Sequence, residues 1–393
     1  MTDRVYLDWN ATAPLRPEAR AAMLAALDAG NPSAVHAEGR AARALVEDAR
    51  AAVARLVGTS ARNVVFTSGG TEANTLALTP GLAIGTDTAG RDRLLVSAIE
   101  HPSVRAGGRF ATNAVDILPV TPDGIVDLAA LEARLAALAV EKTGLRPLVS
   151  LMHANNETGV VQPIAAAAEL VHAAGGILHV DAVQSAGKIP CDVAALGADL
   201  MTLSGHKIGG PKGVGALVLR SGDIRVTAPL VKGGGQEHGA RAGTENVAAI
   251  AGFGAAAMAA ARDLAEAGPA MAALRDALET AAEAAVPGTV VIARGVARLP
   301  NTSLLTHPGL KAETAVIALD LAGIAVSAGA ACSSGKVGAS QVLAAMGVPD
   351  ALAGGAVRVS LGPTTGERDV STFVDAWKQL VRRLSRGGCG IAA

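Results

Sequence analysis

Short apolar runs alternate with longer stretches rich in Ala and Leu along most of this chain. Residues 63–67, 94–97, 115–119, 148–153, 177–182, 200–204 and 215–219 are of strand length and mostly apolar. Runs without polar alternation predict strands covered on both faces. Residues 18–29 and 41–57 ahead of these runs, the second stopped by Gly58, and 128–139 and 164–173 between them predict helices. Strands alternating with helices predict a mainly parallel sheet, an α/β architecture. Further on, a long helix is expected after Asn246 and a second over Ala270–Ala285. Shorter strands then follow near 290–292, 302–306 and 356–360. This shift predicts a large domain over residues 16–260. A smaller one is built from residues 1–15 and 261–393, the change falling between about 258 and 268.

Composition narrows the function. Of 393 residues only 2% are aromatic, so the core must be made of small and aliphatic side chains. A net charge of −1, without any basic run carrying aromatics, argues against a nucleic-acid partner. The longest uncharged apolar run, Val247–Ala261, is shorter than the ~20 residues of a membrane span and predicts a buried helix. The N-terminus carries charge within its first four residues and no apolar segment follows, so no signal peptide and a cytoplasmic location are expected. Three scattered cysteines, Cys191, Cys332 and Cys389, fit a reducing compartment. No histidine pairs with a cysteine or another histidine at zinc-ligand spacing.

Candidate chemistry gathers at strand ends, centred on Leu203-Ser204-Gly205-His206-Lys207. A lysine amine there can condense with an aldehyde, while Ser204 and His206 offer donors to a phosphate; pyridoxal phosphate carries both groups. Taken alone, the stretch also fits a solvated basic loop. It does not fit a P-loop, because Pro211 follows Gly210. Ser68-Gly69-Gly70-Thr71-Glu72 opens a helix after a strand, either as an anion site or as a capping box. His101 stands where a strand gives way to a helix at Pro102, the ligand edge of open α/β sheets. Asp181 ends a buried strand, as a helix cap or as the anion beside a pyridine nitrogen. Arg358 interrupts an apolar strand and wants an anion, a structural carboxylate or a substrate's. Cys332 lies in a run of Gly, Ala and Ser and is expected to be exposed. Cys191, after Pro190, is expected to be inert, and Cys389 to lie in a glycine-rich tail.

From Tyr6-Leu7-Asp8 to Ser360-Leu361-Gly362, this ordered set resembles the cysteine desulfurases of the class V aminotransferase family. The resemblance implies the pyridoxal phosphate-dependent type I transferase fold, a large domain with a mainly parallel seven-stranded sheet and a smaller α/β C-terminal domain. It implies conversion of L-cysteine to L-alanine with a persulfide on Cys332, donated to a sulfur acceptor such as an iron–sulfur scaffold. Cys332 would then transiently ligate metal shared with that partner. Carried over residue by residue, Lys207 would bond the cofactor, Asp181 pair with its ring nitrogen and Gln184 with its phenolic oxygen. His101 would stack on the ring and move protons. Gly70, Thr71, Ser204 and His206 would hold the phosphate, with Thr244 reaching in from the second subunit of a homodimer. Asn156 would touch cofactor and substrate, and Arg358, with Asn10 second, would take the substrate carboxylate. The setting of Cys332 and the long segment before Arg358 resemble the long-loop, nitrogen-fixation and iron–sulfur type. Trp9, Gly70 and Ala330 depart from the usual Asn, Ala and Ser. A selenocysteine lyase, another class V enzyme, or a silent cofactor-binding scaffold are the alternatives.

Overall fold

The computed structural model describes residues 4–141, 144, 146–329 and 340–387. Its main sheet is made of β1 (Val64–Thr67), β2 (Arg93–Ser97), β3 (Val115–Leu118), β4 (Pro147–Met152), β5 (Ile177–Asp181), β6 (Leu200–Ser204) and β7 (Gly215–Leu219). The spatial order is β1-β7-β6-β5-β4-β2-β3. Only β7 runs against its neighbours; every other pair in this sheet is parallel. Strands β4, β5, β6 and β7 are buried along their whole length, as runs without polar alternation require. Edge strand β3 is the exception, with Ile117 half exposed.

The helices α1 (Pro17–Ala25), α2 (Ala37–Leu56), α3 (Gly70–Ala77) and α4 (Val247–Ala285) pack around this sheet. His36 proves to be the N-cap of α2, its Nδ1 accepting from the Gly39 N–H. The two helices expected after Asn246 and over Ala270–Ala285 are one 39-residue helix with Pro269 inside it. The domain change expected between about 258 and 268 set the two apart. The helix continues because its two ends are anchored in different cores, and packing outweighs the local cost of proline. By length and composition α4 could cross a membrane, yet its apolar window is mostly buried within the protein. Its first half lies in the core under the main sheet, and Leu278 and Ala282 lie in a second core.

That second core covers a four-stranded antiparallel sheet of Val290–Val291, Thr302–Thr306, Val357–Ser360 and Ser327–Ala328. Val5–Tyr6 joins it by parallel pairing with Ile324–Ala325. A final helix, α5 (Glu367–Gly387), was not anticipated from the sequence. It brings stacked Phe373 and Trp377 rings, 6.0 Å apart, into the core, with Trp377 Nε1 donating to Thr289 Oγ1.

Two buried polar contacts tie the pieces together. Arg50 donates to both Glu237 oxygens at 2.6 and 2.9 Å, and Glu237 also accepts from the Phe66 N–H. This pins residues 237 and 238, whose backbone is left-handed (φ 48° and 55°), just before Thr244. Elsewhere Ser340 Oγ donates to Glu157 at 2.6 Å, joining the loop after β4 to the start of the helix Gln341–Ala345. Burial pushes the Glu157 carboxyl up to about 7, although Ser340 and Arg358 oppose the shift.

Arg50→Met would leave a buried carboxylate unpaired and should cost about 3–5 kcal/mol, read as a lower denaturant midpoint. The Arg50→Met, Glu237→Leu double variant should recover part of that loss; one no more stable than the single variant would contradict the pairing. For Glu157 the folded value is raised, so its stabilising contribution is complete below the ordinary 4.5 and is lost as pH rises through about 7. Glu157→Gln is neutral throughout and should therefore gain on the parent in midpoint between about pH 5 and 8. A constant difference across that range would show that Glu157 does not titrate there.

Candidate active site

Parallel strands point all their carboxyl ends to one edge, and the loops that leave that edge carry the polar residues singled out above. A cavity of about 240 Å³ opens there. Gly70, Thr71, His101, Asn156, Asp181, Gln184, Ser204, His206 and Lys207 line it together.

Each side chain is held by its own element. Lys207 ends the single turn after β6, and its Nζ donates to the Asn10 and Ala11 carbonyls at 2.6 and 2.9 Å. Asp181 is the last residue of β5. Its Oδ1 accepts from the Val183 N–H at 3.0 Å and its Oδ2 from Asn74 Nδ2 at 2.9 Å. His101 caps the helix beginning at Pro102, accepting at Nδ1 from the Ser103 N–H. That contact places the imidazole proton on Nε2. Helix α3 starts at Gly70 with no side chain capping it, so its first N–H groups lack intrahelical acceptors. Glu72 instead folds back to the Ser68 N–H and pairs with Arg241.

Burial sets the charge of the imidazoles. It pushes His206 down to about 4, helped by the positive charges of Lys207 and Lys212. It lowers His101 as well, with Asp181 opposing and Lys207 assisting. Both rings are therefore donors or acceptors near neutral pH rather than cations. Cys191 is buried, which pushes its thiol up to about 12 and makes it a poor nucleophile.

Other expected residues are placed differently. Asn10 is fully buried and stands behind the cavity. Its amide donates to Thr302 Oγ1 and accepts from Lys188 and Asn301, so that group is occupied within the protein. Arg358 is also buried, donating to the Asn156 carbonyl at 2.9 Å and to Asp8 Oδ1 at 2.8 Å. Its Nε has no acceptor among the described residues. Thr244 lies in an exposed stretch beside Thr67 and Ser68, outside the cavity of its own chain. Cys332 and Cys389 lie outside the described residues. Among the described residues, no three His, Cys, Asp or Glu side chains gather as metal ligands.

Sequence reading missed Asn74 and Lys188. Asn74 donates to Asp181 and to Ser103 Oγ and accepts from Thr202 Oγ1, so it ties the Asp181 carboxylate to β6 and to the helix beginning at Pro102. The available signal was an amide three residues after Thr71, within the buried face of α3. The donor set as a whole fits pyridoxal phosphate. An amine, a carboxylate with lone pairs to spare and an uncapped helix N-terminus flanked by hydroxyls and a neutral imidazole surround one cavity.

Comparison with known proteins agrees. The class-V aminotransferase family matches residues 5–373. A cysteine desulfurase of Cereibacter sphaeroides is 44% identical over 392 residues, covering 97% of each chain. The cysteine desulfurase IscS of Dictyoglomus turgidum is 37% identical over 389 residues, covering 98% of this chain and 96% of its own. Among solved structures, the NifS-like protein of Rickettsia africae superposes with a TM-score of 0.84 at 35% identity, covering 96% of this chain and 99% of that one. With fold, cavity and near full-length similarity in agreement, this chain belongs to the pyridoxal phosphate-dependent class-V aminotransferases, in their cysteine desulfurase branch.

Proposed function

We propose that this protein removes sulfur from L-cysteine, releasing L-alanine and leaving a persulfide on Cys332. The observation that carries the reading is the placement of Lys207, Asp181 and the open N-terminus of α3 around one cavity. Bound there, pyridoxal phosphate supplies an electron sink for the substrate Cα.

Gly70, Thr71, Ser204 and His206 would hold the phosphate with backbone and side-chain donors, an arrangement favoured at a helix N-terminus. Asp181, fixed by Asn74, would favour a proton on the pyridine nitrogen. Gln184 would offer a side-chain N–H to the phenolic oxygen. His101 would stand against the ring, holding its own proton at Nε2. Asn156 would border both cofactor and substrate. Arg358 spends two of its five N–H groups on Asp8 and Asn156, leaving others for the substrate carboxylate. Lys207 Nζ, once free, takes the Cα proton as general base.

The Cys332 thiolate then attacks the substrate sulfur. An S–S bond forms, the carbon–sulfur bond breaks, and its electron pair stays with the substrate, which becomes alanine after protonation. The sulfur passes to an acceptor of the iron–sulfur assembly kind, in a reducing cytoplasm where the thiol is regenerated. Transient metal ligation by Cys332 belongs to that hand-over. Thr244 is exposed in its own chain, which supports a homodimer in which it completes the partner subunit's phosphate site.

Borohydride treatment should fix the cofactor to Lys207, read by mass spectrometry; an adduct on Lys212 would displace the assignment. Cys332→Ala should bind cofactor and still change colour on adding cysteine, while alanine release falls on the order of a thousandfold or more. Release at the parent rate would make the protein a simple lyase. For the dimer, Lys207→Ala chains mixed with Thr244→Val chains place both defects in one site and leave the other intact. Activity no higher than either parent variant would count against sharing across the interface.

A further inference from the structure

Lys188 is a buried lysine whose surroundings do not explain it as an ion pair. Its Nζ donates to Asn10 Oδ1 at 2.9 Å and to Gln184 Oε1 at 3.0 Å, both neutral carbonyls. Among the described residues, the cations Lys207 and Arg358 act on it, opposed by the Cys191 thiol. Burial, reinforced by that like charge, holds its amine well below the ordinary lysine range. A buried amine without a carboxylate is costly, and apolar side chains of similar length would fill the space. The expense falls at one place, one turn beyond Gln184 and directly behind the cavity.

Those contacts have a directional consequence. Lys188 Nζ donates to Gln184 Oε1, so Gln184 turns Oε1 toward Lys188 and carries Nε2 on its other side. Nε2 gives one hydrogen to the Asn10 carbonyl at 3.0 Å. The second remains for the cavity that Gln184 lines. The same Asn10 carbonyl receives Lys207 Nζ at 2.6 Å, so one fixed peptide positions both groups.

We propose that Lys188 is a positioning residue of the cofactor site: it fixes the Gln184 amide so that Nε2 is presented to the ring oxygen. This rests on the role given to Gln184 above. Lys188 makes no contact with the reacting atoms, and its effect passes through Gln184.

A double-variant cycle on the full-length protein tests it, with cofactor affinity and the visible absorption band of the bound cofactor as readouts. Lys188→Met should weaken pyridoxal phosphate binding about tenfold, the low end of the cost of losing a supporting partner, and should shift the band. Gln184→Ala should do the same. Lys188→Met added to Gln184→Ala should change affinity little further, because the path through Gln184 is already gone. Lys188→Gln, which retains an N–H donor, should recover part of the affinity. Should Lys188→Met fail to fold, the cycle is run with Lys188→Gln, whose loss against the parent should likewise vanish in the Gln184→Ala background. Additive losses in the double variant, or parent-like affinity and spectrum in Lys188→Met beside an altered Gln184→Ala, would overturn the role of Lys188 alone. A parent-like spectrum in Gln184→Ala would instead remove the reading of Gln184 and this inference with it.

Discussion

Four segments far apart in sequence converge on Asn10. Its backbone carbonyl accepts from Lys207 and Gln184, and its side chain is held by Lys188, Thr302 and Asn301. Its N–H donates to Ser360 Oγ at 3.0 Å. The N-terminal strand, the loops after β5 and β6, and the second sheet therefore share one buried polar centre. Each of those groups would be costly to bury alone, so they hold the segments in a single arrangement. The lysine at the heart of the proposed chemistry is seated by N-terminal carbonyls 197 and 196 positions away in the chain.

Around that centre, burial decides which groups carry charge. Glu100, beside His101, is fully enclosed; its carboxyl is pushed up to about 8, and it accepts from Ser97 Oγ and the Met152 N–H. His153 and His179 are pushed down to about 4 by the same desolvation. Groups that ionise freely in water are thus kept neutral under the cavity. Asp181, by contrast, is ringed by donors from Asn74 and Val183. Specific donors, rather than overall polarity, set the character of each carboxyl group.

The main sheet was legible from pattern because parallel strands covered on both faces must be apolar throughout, and each of the seven runs became a strand. Strand ends were also legible, since Asp181, His101 and Lys207 follow apolar runs directly. Residue type and order were enough to point to an amine, a carboxylate and an anion site at one edge. The similarity to cysteine desulfurases followed from that same order.

Tertiary structure alone decided the rest. A domain change was expected between about 258 and 268, where α4 runs unbroken; the anchoring cores at its ends have no signature within the helix. Whether Asn10 and Arg358 face the cavity could not be read from their spacing; it depends on Lys188, Asn301 and Asp8, which meet them only after folding. Asn74 and Lys188 looked like ordinary polar positions, since a side chain's partners across 107 or 178 residues leave no periodic trace. Pattern fixes which faces are buried, whereas the partners of a buried polar group are set by the packing of distant elements.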